Sequence, residues 1–149
     1  MEKLIPKDHW LIASAKRVNA LILEEIALDM RDNSVQDVRA EMLRQTESLH
    51  KDALSLSLSI FGEENVHTAK HYGNLGRLYQ TMSLYSEAEM MQLRSISIKE
   101  QLLGSDDYEV GLSIGHLASL YGYHMNRHKE AESLYLRSID ISLRLVGNI

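Results

Sequence analysis

The stretch Asn74-Leu75-Gly76-Arg77-Leu78-Tyr79 decides the fold, because its pattern returns 42 residues later as His116-Leu117-Ala118-Ser119-Leu120-Tyr121. Further along, Glu87-Ala88-Glu89 returns as Glu130-Ala131-Glu132, at a spacing of 43 residues. Self-similarity at a period of about 20 to 50 residues is typical of repeat proteins. The one-residue difference falls after the second tyrosine, where we expect a loop.

Each repeat divides into two helical patterns. Apolar and small residues recur at spacings of three and four over residues 65–82 and again over residues 86–102, which is the period of an amphipathic helix. The second pattern of successive units is followed by Gly62, Gly104 and Gly147, as suits a helix C-terminus with a left-handed residue. The pattern therefore predicts helical hairpins with glycine at their ends.

A weaker version of the unit precedes the two clear ones. Residues 9–30 and 36–61 are predicted as helices, the second of them long. Asp32, Asn33 and Ser34 indicate a turn between them, in which Ser34 suits a helix cap.

One segment of that long helix has an ambiguous pattern. From Leu54 to Ile60, leucine or isoleucine alternates with serine, which taken alone is typical of a β-strand. Alignment with Ile96 and Ile98 of the next unit favours a helix.

These patterns predict one all-α array over residues 1–149, built from a degenerate repeat at 8–61 and repeats at 62–103 and 104–147. A single unit cannot bury its apolar face alone, so neighbouring units stack. We expect three antiparallel helix pairs, six helices in all, in a right-handed superhelical α-solenoid. The abrupt start and end suggest part of a longer chain, with weak self-association through an uncapped end.

Composition excludes several classes of function. The chain has a net charge of −5, no cysteine and a single proline, Pro6. Disulfides and thiolate chemistry are excluded, and no basic stripe indicates nucleic-acid binding. No run of about 18 apolar residues indicates a transmembrane helix. We expect a cytoplasmic protein.

No group of residues in the sequence indicates catalysis. His67 and His71 have a spacing that can hold zinc, but no third ligand can be named. Gly73-Asn74-Leu75-Gly76 lacks the lysine of a phosphate loop. The pairs Glu24-Glu25 and Glu63-Glu64 would point about 100° apart on a helix. We predict no catalytic residue, no metal, no cofactor and no enzyme activity.

The repeats resemble the tetratricopeptide family, in the subtype with longer loops that is found in kinesin light chains. The acidic segment Asp106–Val110, and Asp8 to Trp10 upstream, lie where that subtype carries an acidic motif. Gln92 replaces an expected aromatic residue, and the terminal proline is missing from both units. The positions that match the tetratricopeptide consensus are Tyr72, Leu75, Gly76, Tyr79, Tyr85, Ala88 and Ser95.

Longer stretches resemble the C-terminal portion of the amyloid protein-binding protein 2 family. They are residues 16–27, 68–80, 98–104 and 115–121, whereas residues 31–60 diverge most. The resemblance implies binding of the amyloid precursor protein tail, microtubule association and intracellular transport. It also implies a substrate receptor of a cullin-RING ubiquitin ligase that recognises C-terminal degrons, and a location at membranes, microtubules or the nucleus as well as in the cytoplasm.

In such a stack the first helix of each pair lines the concave surface, where we predict a peptide-binding site. Its residues are Lys70, Asn74 and Arg77 in one unit and His116 and Ser119 in the next. An asparagine amide can both donate to and accept from a peptide backbone, and arginine can hold a carboxylate. Asparagine is a poor helix former, which favours a binding role over a structural one for Asn74.

Alternatives to this site stay open. Lys70 and Ser119 also fit a solvated helix surface, and His116 fits packing as well as binding. The function predicted is a non-enzymatic adaptor for a peptide or protein tail. The alternative is a structural spacer or self-association segment of a larger scaffold.

Overall fold

A computed structural model describes residues 9–29 and 36–147, and in these ranges the chain forms six helices and no strand. The predicted all-α fold is confirmed, and the alternating serine segment lies inside a helix. Asp8 and the predicted turn and cap at residues 32–34 lie outside the described residues. The helices are α1 Trp10–Asp29, α2 Gln36–Phe61, α3 Val66–Thr81, α4 Tyr85–Leu103, α5 Tyr108–His124 and α6 His128–Gly147.

Consecutive helices pack as three hairpins, α1 with α2, α3 with α4 and α5 with α6. The chain divides into two compact units, residues 1–63 and residues 64–149. In the second unit, α4 also packs against α5. The handedness of the stack and the division into three repeats stay predictions.

The turns inside the two later hairpins have the same design. Residues 82–84 and 125–127 connect the helices, and each turn holds one non-glycine residue at positive φ, Ser83 at 61° and Asn126 at 56°. Since both turns are three residues long, the extra residue of the last repeat lengthens α5 instead of the expected loop.

Equivalent residues also begin and end the helices of these repeats. Asn65 and Asp107 cap α3 and α5, and each side chain accepts a hydrogen bond of 2.8 Å from the backbone amide two residues later. Such caps satisfy donors that a helix start leaves unpaired. Gly62 and Gly104 end α2 and α4 with φ of 78° and 91°, as predicted for left-handed positions. The same prediction is wrong for Gly147, which is the last residue of α6 and does not have a positive φ.

Serine hydroxyls join the two helices of each later hairpin. Ser95 Oγ donates to the carbonyl of Ala69 at 2.7 Å, and its repeat equivalent Ser138 Oγ donates to the carbonyl of Gly111 at 2.9 Å. These bonds need closely spaced backbones.

Gln92, which departs from the consensus, packs between α3 and α4. Only 1% of its surface is exposed, and its Nε2 donates to the carbonyl of Gly73 at 3.4 Å. A Cβ atom built on Gly76 would lie 2.9 Å from its Cγ. Gln92 therefore fills space that is available only because residue 76 has no side chain.

The first unit has a different kind of core. Its buried apolar residues are mostly small, with Ala13, Ala20, Ala27 and Ala53 all at most 2% exposed. Buried polar side chains lie beside them, namely Glu24, Thr46, His50 and Ser57. None of the described helices is long and apolar enough to cross a membrane.

Candidate peptide-binding surface

Helix α3 carries three of the predicted binding residues on one face. Lys70, Asn74 and Arg77 are separated by four and three residues, so they are neighbours on the helix surface. Lys70 and Arg77 are exposed, whereas Asn74 is half-buried.

The amide of Asn74 has an unusual environment. Its Nδ2 atom is buried, and none of the described residues forms a hydrogen bond with it. Leaving a buried donor unpaired costs about 1 to 3 kcal/mol. If the half-buried side chain turned outward, a carbonyl or carboxylate oxygen of a ligand could pair with this atom and recover that cost.

Helix α5 supplies the other two predicted residues, the exposed His116 and the half-buried Ser119. Desolvation lowers the pKa of His116, and the positive charges of Arg77 and Lys99 lower it further. Helices α3 and α5, which carry Arg77 and His116, are in contact. Ser119 lies three residues after the histidine, on the same helix.

Lys99 of α4 is a residue that the sequence reasoning did not include. Only 7% of it is exposed, and its Nζ donates to Ser113 Oγ at 2.9 Å and lies 3.7 Å from Glu109 Oε2. Burial lowers the pKa of Lys99; the charge of Glu109 opposes that shift and the charge of Lys70 adds to it.

A signal for Lys99 was present in the sequence. It directly follows Ile98 and lies three residues after Ile96, both buried. A lysine on the buried side of a helix is rarely tolerated unless it is paired. The helical pattern alone did not indicate that the charge of Lys99 acts together with His116 and Lys70, which lie on other helices.

We define Lys70, Arg77 and Lys99, together with the His116 on which Arg77 and Lys99 act, as the cationic cluster; His116 itself is mainly neutral at neutral pH because its pKa is lowered. Asn74 lies within it on α3, between Lys70 and Arg77 along the helix. Two acidic groups, Glu109 and Asp107, act on Lys99. The arrangement suits an anionic group and peptide oxygens, because guanidinium and ammonium groups only donate hydrogen bonds.

Comparison with known proteins identifies the family. Two tetratricopeptide-repeat family models match residues 38–101 and residues 110–148, together well over half of the chain. This chain belongs to the tetratricopeptide-repeat family. Like other tetratricopeptide proteins it builds a scaffold from stacked helix pairs, and such scaffolds serve as surfaces for other proteins. The coarse function is therefore that of a protein-interaction module.

Relatives and a solved structure agree with this assignment. The tetratricopeptide chain is 56% identical over 79 residues to "Amyloid protein-binding protein 2" of Rattus norvegicus and of Mus musculus. The match covers 53% of this chain and 13% of each relative, so the chain spans a small part of their length.

The similar solved structure is that of BtubC (BKLC) from P. vanneervenii, with a TM-score of 0.66 over 86% of this chain and 48% of that one. At 23% identity it shows the fold alone, and the predicted all-α solenoid is confirmed.

Proposed function

We propose that this chain is an adaptor that binds an extended peptide or protein tail across α3 and α5. The residues that would contact the peptide are Lys70, Asn74 and Arg77 with His116 and Ser119, and the buried Lys99 of α4 adds its charge. The observation that carries the proposal is the buried, unpartnered Nδ2 of Asn74 within a cationic cluster.

The cluster favours a ligand with a negative group. Arg77 can hold a carboxylate with two parallel hydrogen bonds, while Asn74 pairs with a backbone oxygen nearby. A preformed helical surface needs little reordering when a peptide binds, which limits the entropic cost. A peptide acid or an acidic side chain is therefore the expected anchor.

The name of the rat and mouse relatives supplies a first candidate ligand. We infer the cytoplasmic tail of the amyloid precursor protein, in the context of intracellular transport along microtubules. The second candidate is a C-terminal degron, with the chain as part of a cullin-RING substrate receptor. The two differ in whether a free terminal carboxylate is needed.

The binding test compares peptides by fluorescence anisotropy. An amyloid precursor tail and degron-type peptides are each prepared with a free C-terminal acid and with a C-terminal amide. A C-terminal anchor predicts that the amide loses most of the affinity, whereas an internal acidic anchor predicts equal binding. Cullin-RING components added in a pull-down test ligase docking separately.

Substitution of Asn74 tests the surface itself. Asn74→Ala should weaken peptide binding by roughly 3- to 10-fold, the loss of about one hydrogen bond of 0.5 to 1.5 kcal/mol. Its melting temperature should not fall, because the amide Nδ2 has no protein partner to lose and an unpaired buried donor is itself unfavourable. Arg77→Ala should weaken binding of the same peptides further.

Gln101→Ala serves as the matched control, since it removes an exposed amide from α4. A large loss of stability in Asn74→Ala with retained affinity would show that the asparagine is structural. Sequence-independent or absent peptide capture would favour the alternative, a spacer that only connects flanking parts of a scaffold.

A further inference from the structure

Glu109 brings a negative charge from α5 to the cationic cluster. It shares one face of that helix with Ser113 and His116, because the three residues are separated by four and three positions. Its Oε2 atom lies 3.7 Å from Nζ of Lys99, which donates to Ser113 Oγ at 2.9 Å. The same face of α5 therefore carries one residue of the cluster and one anion that acts on the cluster.

The two partners of this ion pair differ in exposure. The side chain of Lys99 is 8% exposed, whereas that of Glu109 is 44% exposed. Hydrogen bonds between an ammonium group and a carboxylate typically measure about 2.7 to 2.9 Å. At 3.7 Å the carboxylate of Glu109 is held less tightly than in such a bond. Glu109 is therefore the partner that a ligand meets at the surface.

The other cations of the cluster keep their full charge. Lys70 and Arg77 form no ion pair with any of the described residues 9–29 and 36–147, and they flank Asn74 on α3. Each arginine that follows α3 has a carboxylate oxygen within 3.5 Å, namely Arg94, Arg127, Arg137 and Arg144. The cluster thus keeps positive charge for a ligand, and Glu109 partly offsets it.

Asp107 also acts on Lys99, but its side chain has a structural task. Its Oδ1 accepts a hydrogen bond of 2.8 Å from the backbone amide of Glu109 and so caps α5, and removal of such a cap destabilises a helix. Glu109 lies in the first turn of α5, where a negative charge stabilises the helix only modestly. The charge of Glu109 can therefore be removed at small structural cost.

We propose that Glu109 is a specificity-determining residue of the peptide-binding surface. Its carboxylate lowers the positive potential of the cluster and repels the anionic group of a ligand. Strongly acidic segments are then not held by charge alone, and hydrogen bonding at Asn74 decides which of them bind. Specificity commonly uses such a repulsive element besides the attractive contacts. This role rests on the proposed function, because it concerns the ligand of the same surface.

The test measures how affinity depends on the charge of the peptide. The probes are the fluorescent amyloid precursor tail peptide and two versions of it, in which all but one or all of the acidic groups are changed to amides. Each is titrated into the full-length unaltered protein and into Glu109→Gln. Urea unfolding of both proteins verifies that the variant is folded.

Glu109→Gln should bind the peptide with one acidic group roughly 2- to 5-fold more tightly, the effect of one partly screened charge. The peptide with all its acidic groups should gain more than that, because each of its charges feels the change in potential. The peptide without acidic groups should bind both proteins equally. Added salt should reduce the differences, since it screens charges. A purely structural role of Glu109 would not depend on the charge of the peptide.

Glu87→Gln is the matched control. It removes an exposed carboxylate from the start of α4, twelve residues before Lys99. That separation is about 18 Å along the helix, well beyond the screening length of about 8 Å at physiological salt. Its affinity for all three peptides should equal that of the unaltered protein.

Two results would overturn the role of Glu109 alone. One is equal affinity of Glu109→Gln and the unaltered protein for the acidic peptides, while Asn74→Ala and Arg77→Ala still weaken binding. The other is weaker binding by Glu109→Gln, which would show that the carboxylate contacts a cationic group of the ligand. If no peptide binds the unaltered protein, the proposed function fails and the role of Glu109 fails with it.

Discussion

At the scale of single residues, Asn74 and His116 hold equivalent positions of successive repeats but differ in their surroundings. Asn74 is half-buried with an unpaired amide nitrogen, while His116 is exposed next to the charges of Arg77 and Lys99. Both are polar groups with the capacity to donate and accept. Both repeats therefore place a side chain that can donate and accept hydrogen bonds at this position. At His116 the charges of Arg77 and Lys99 lower its pKa.

His116 should make stability depend on pH. Its pKa is lowered from the ordinary value of 6.5, first by desolvation and then by Arg77 and Lys99. The unfolded chain therefore binds this proton more tightly than the folded chain. The contribution of His116 to the free energy of unfolding is complete above pH 6.5 and is lost as the pH falls through the lowered pKa. Urea unfolding at pH 7.5 and pH 5.5 should show a smaller acid loss in His116→Gln than in the unaltered chain.

His124→Gln is the control for that titration, because His124 lies outside the cationic cluster. An acid loss that is identical in His116→Gln and the unaltered chain would contradict the assignment. The same pair of proteins also tests the ligand. An anionic peptide should bind more tightly as the pH is lowered, and only while His116 is present.

At the scale of the elements, the close packing of α3 against α4 depends on Gly76. Gly76→Ala places a Cβ 2.9 Å from Cγ and 3.0 Å from Nε2 of the buried Gln92. Overpacking of this kind costs about 1 to 3 kcal/mol, partly offset by the better helix propensity of alanine, about 1 kcal/mol. Thermal unfolding should therefore show a net loss of stability.

Gly115→Ala is the matched control, since its Cβ would meet only Ser138 Oγ at 3.4 Å. It should be neutral or slightly stabilising. Adding Gln92→Ala to Gly76→Ala should return part of the lost stability. If both glycine variants behave alike, the close contact with Gln92 is not what limits residue 76.

The contact between α4 and α5 should depend on the Tyr121 hydroxyl. Burial and the hydrogen bond to Glu89 raise the pKa of Tyr121 to about 12, so the phenol keeps its proton. The Arg127 guanidinium also stacks over the ring, 3.9 Å from its centroid. Tyr121→Phe should lower the free energy of unfolding by about 0.5 to 1.5 kcal/mol, the value of one hydrogen bond.

Urea unfolding measures that loss, and Tyr123→Phe is its control because Tyr123 is 80% exposed. A double-mutant cycle with Arg127→Ala should show coupling, since both groups bond to the same carboxylate oxygen. Equal stability of Tyr121→Phe and Tyr123→Phe would mean that the hydroxyl contributes nothing.

At the scale of the whole molecule, the two units should differ in local stability. The second unit buries large side chains such as Leu78, Ile98, Ile114 and Leu120, while the first relies on alanines. Each buried methylene contributes about 0.8 kcal/mol. Hydrogen exchange followed by mass spectrometry should therefore show faster exchange in α1 and α2 than in α3 to α5. Equal protection throughout would indicate a single cooperative unit.

Local patterns were sufficient for most of the fold. The spacing of apolar residues and the end glycines placed α1 to α4 to within one residue at each end, and the repeat favoured a helix for residues 54–60 despite their alternation. Such features depend on neighbours along the chain, so one sequence carries them. The same spacing placed Lys70, Asn74 and Arg77 on one face of α3.

Contacts between helices decided the rest. The sequence marked Gln92 only as a departure from consensus, whereas the packed hairpin shows it filling the space over Gly76. Lys99 joined the cationic cluster only once α4 was packed against α5, where it donates to Ser113. Burial and charge at these positions are set by residues distant in the chain, and helical periodicity does not specify which of those residues meet.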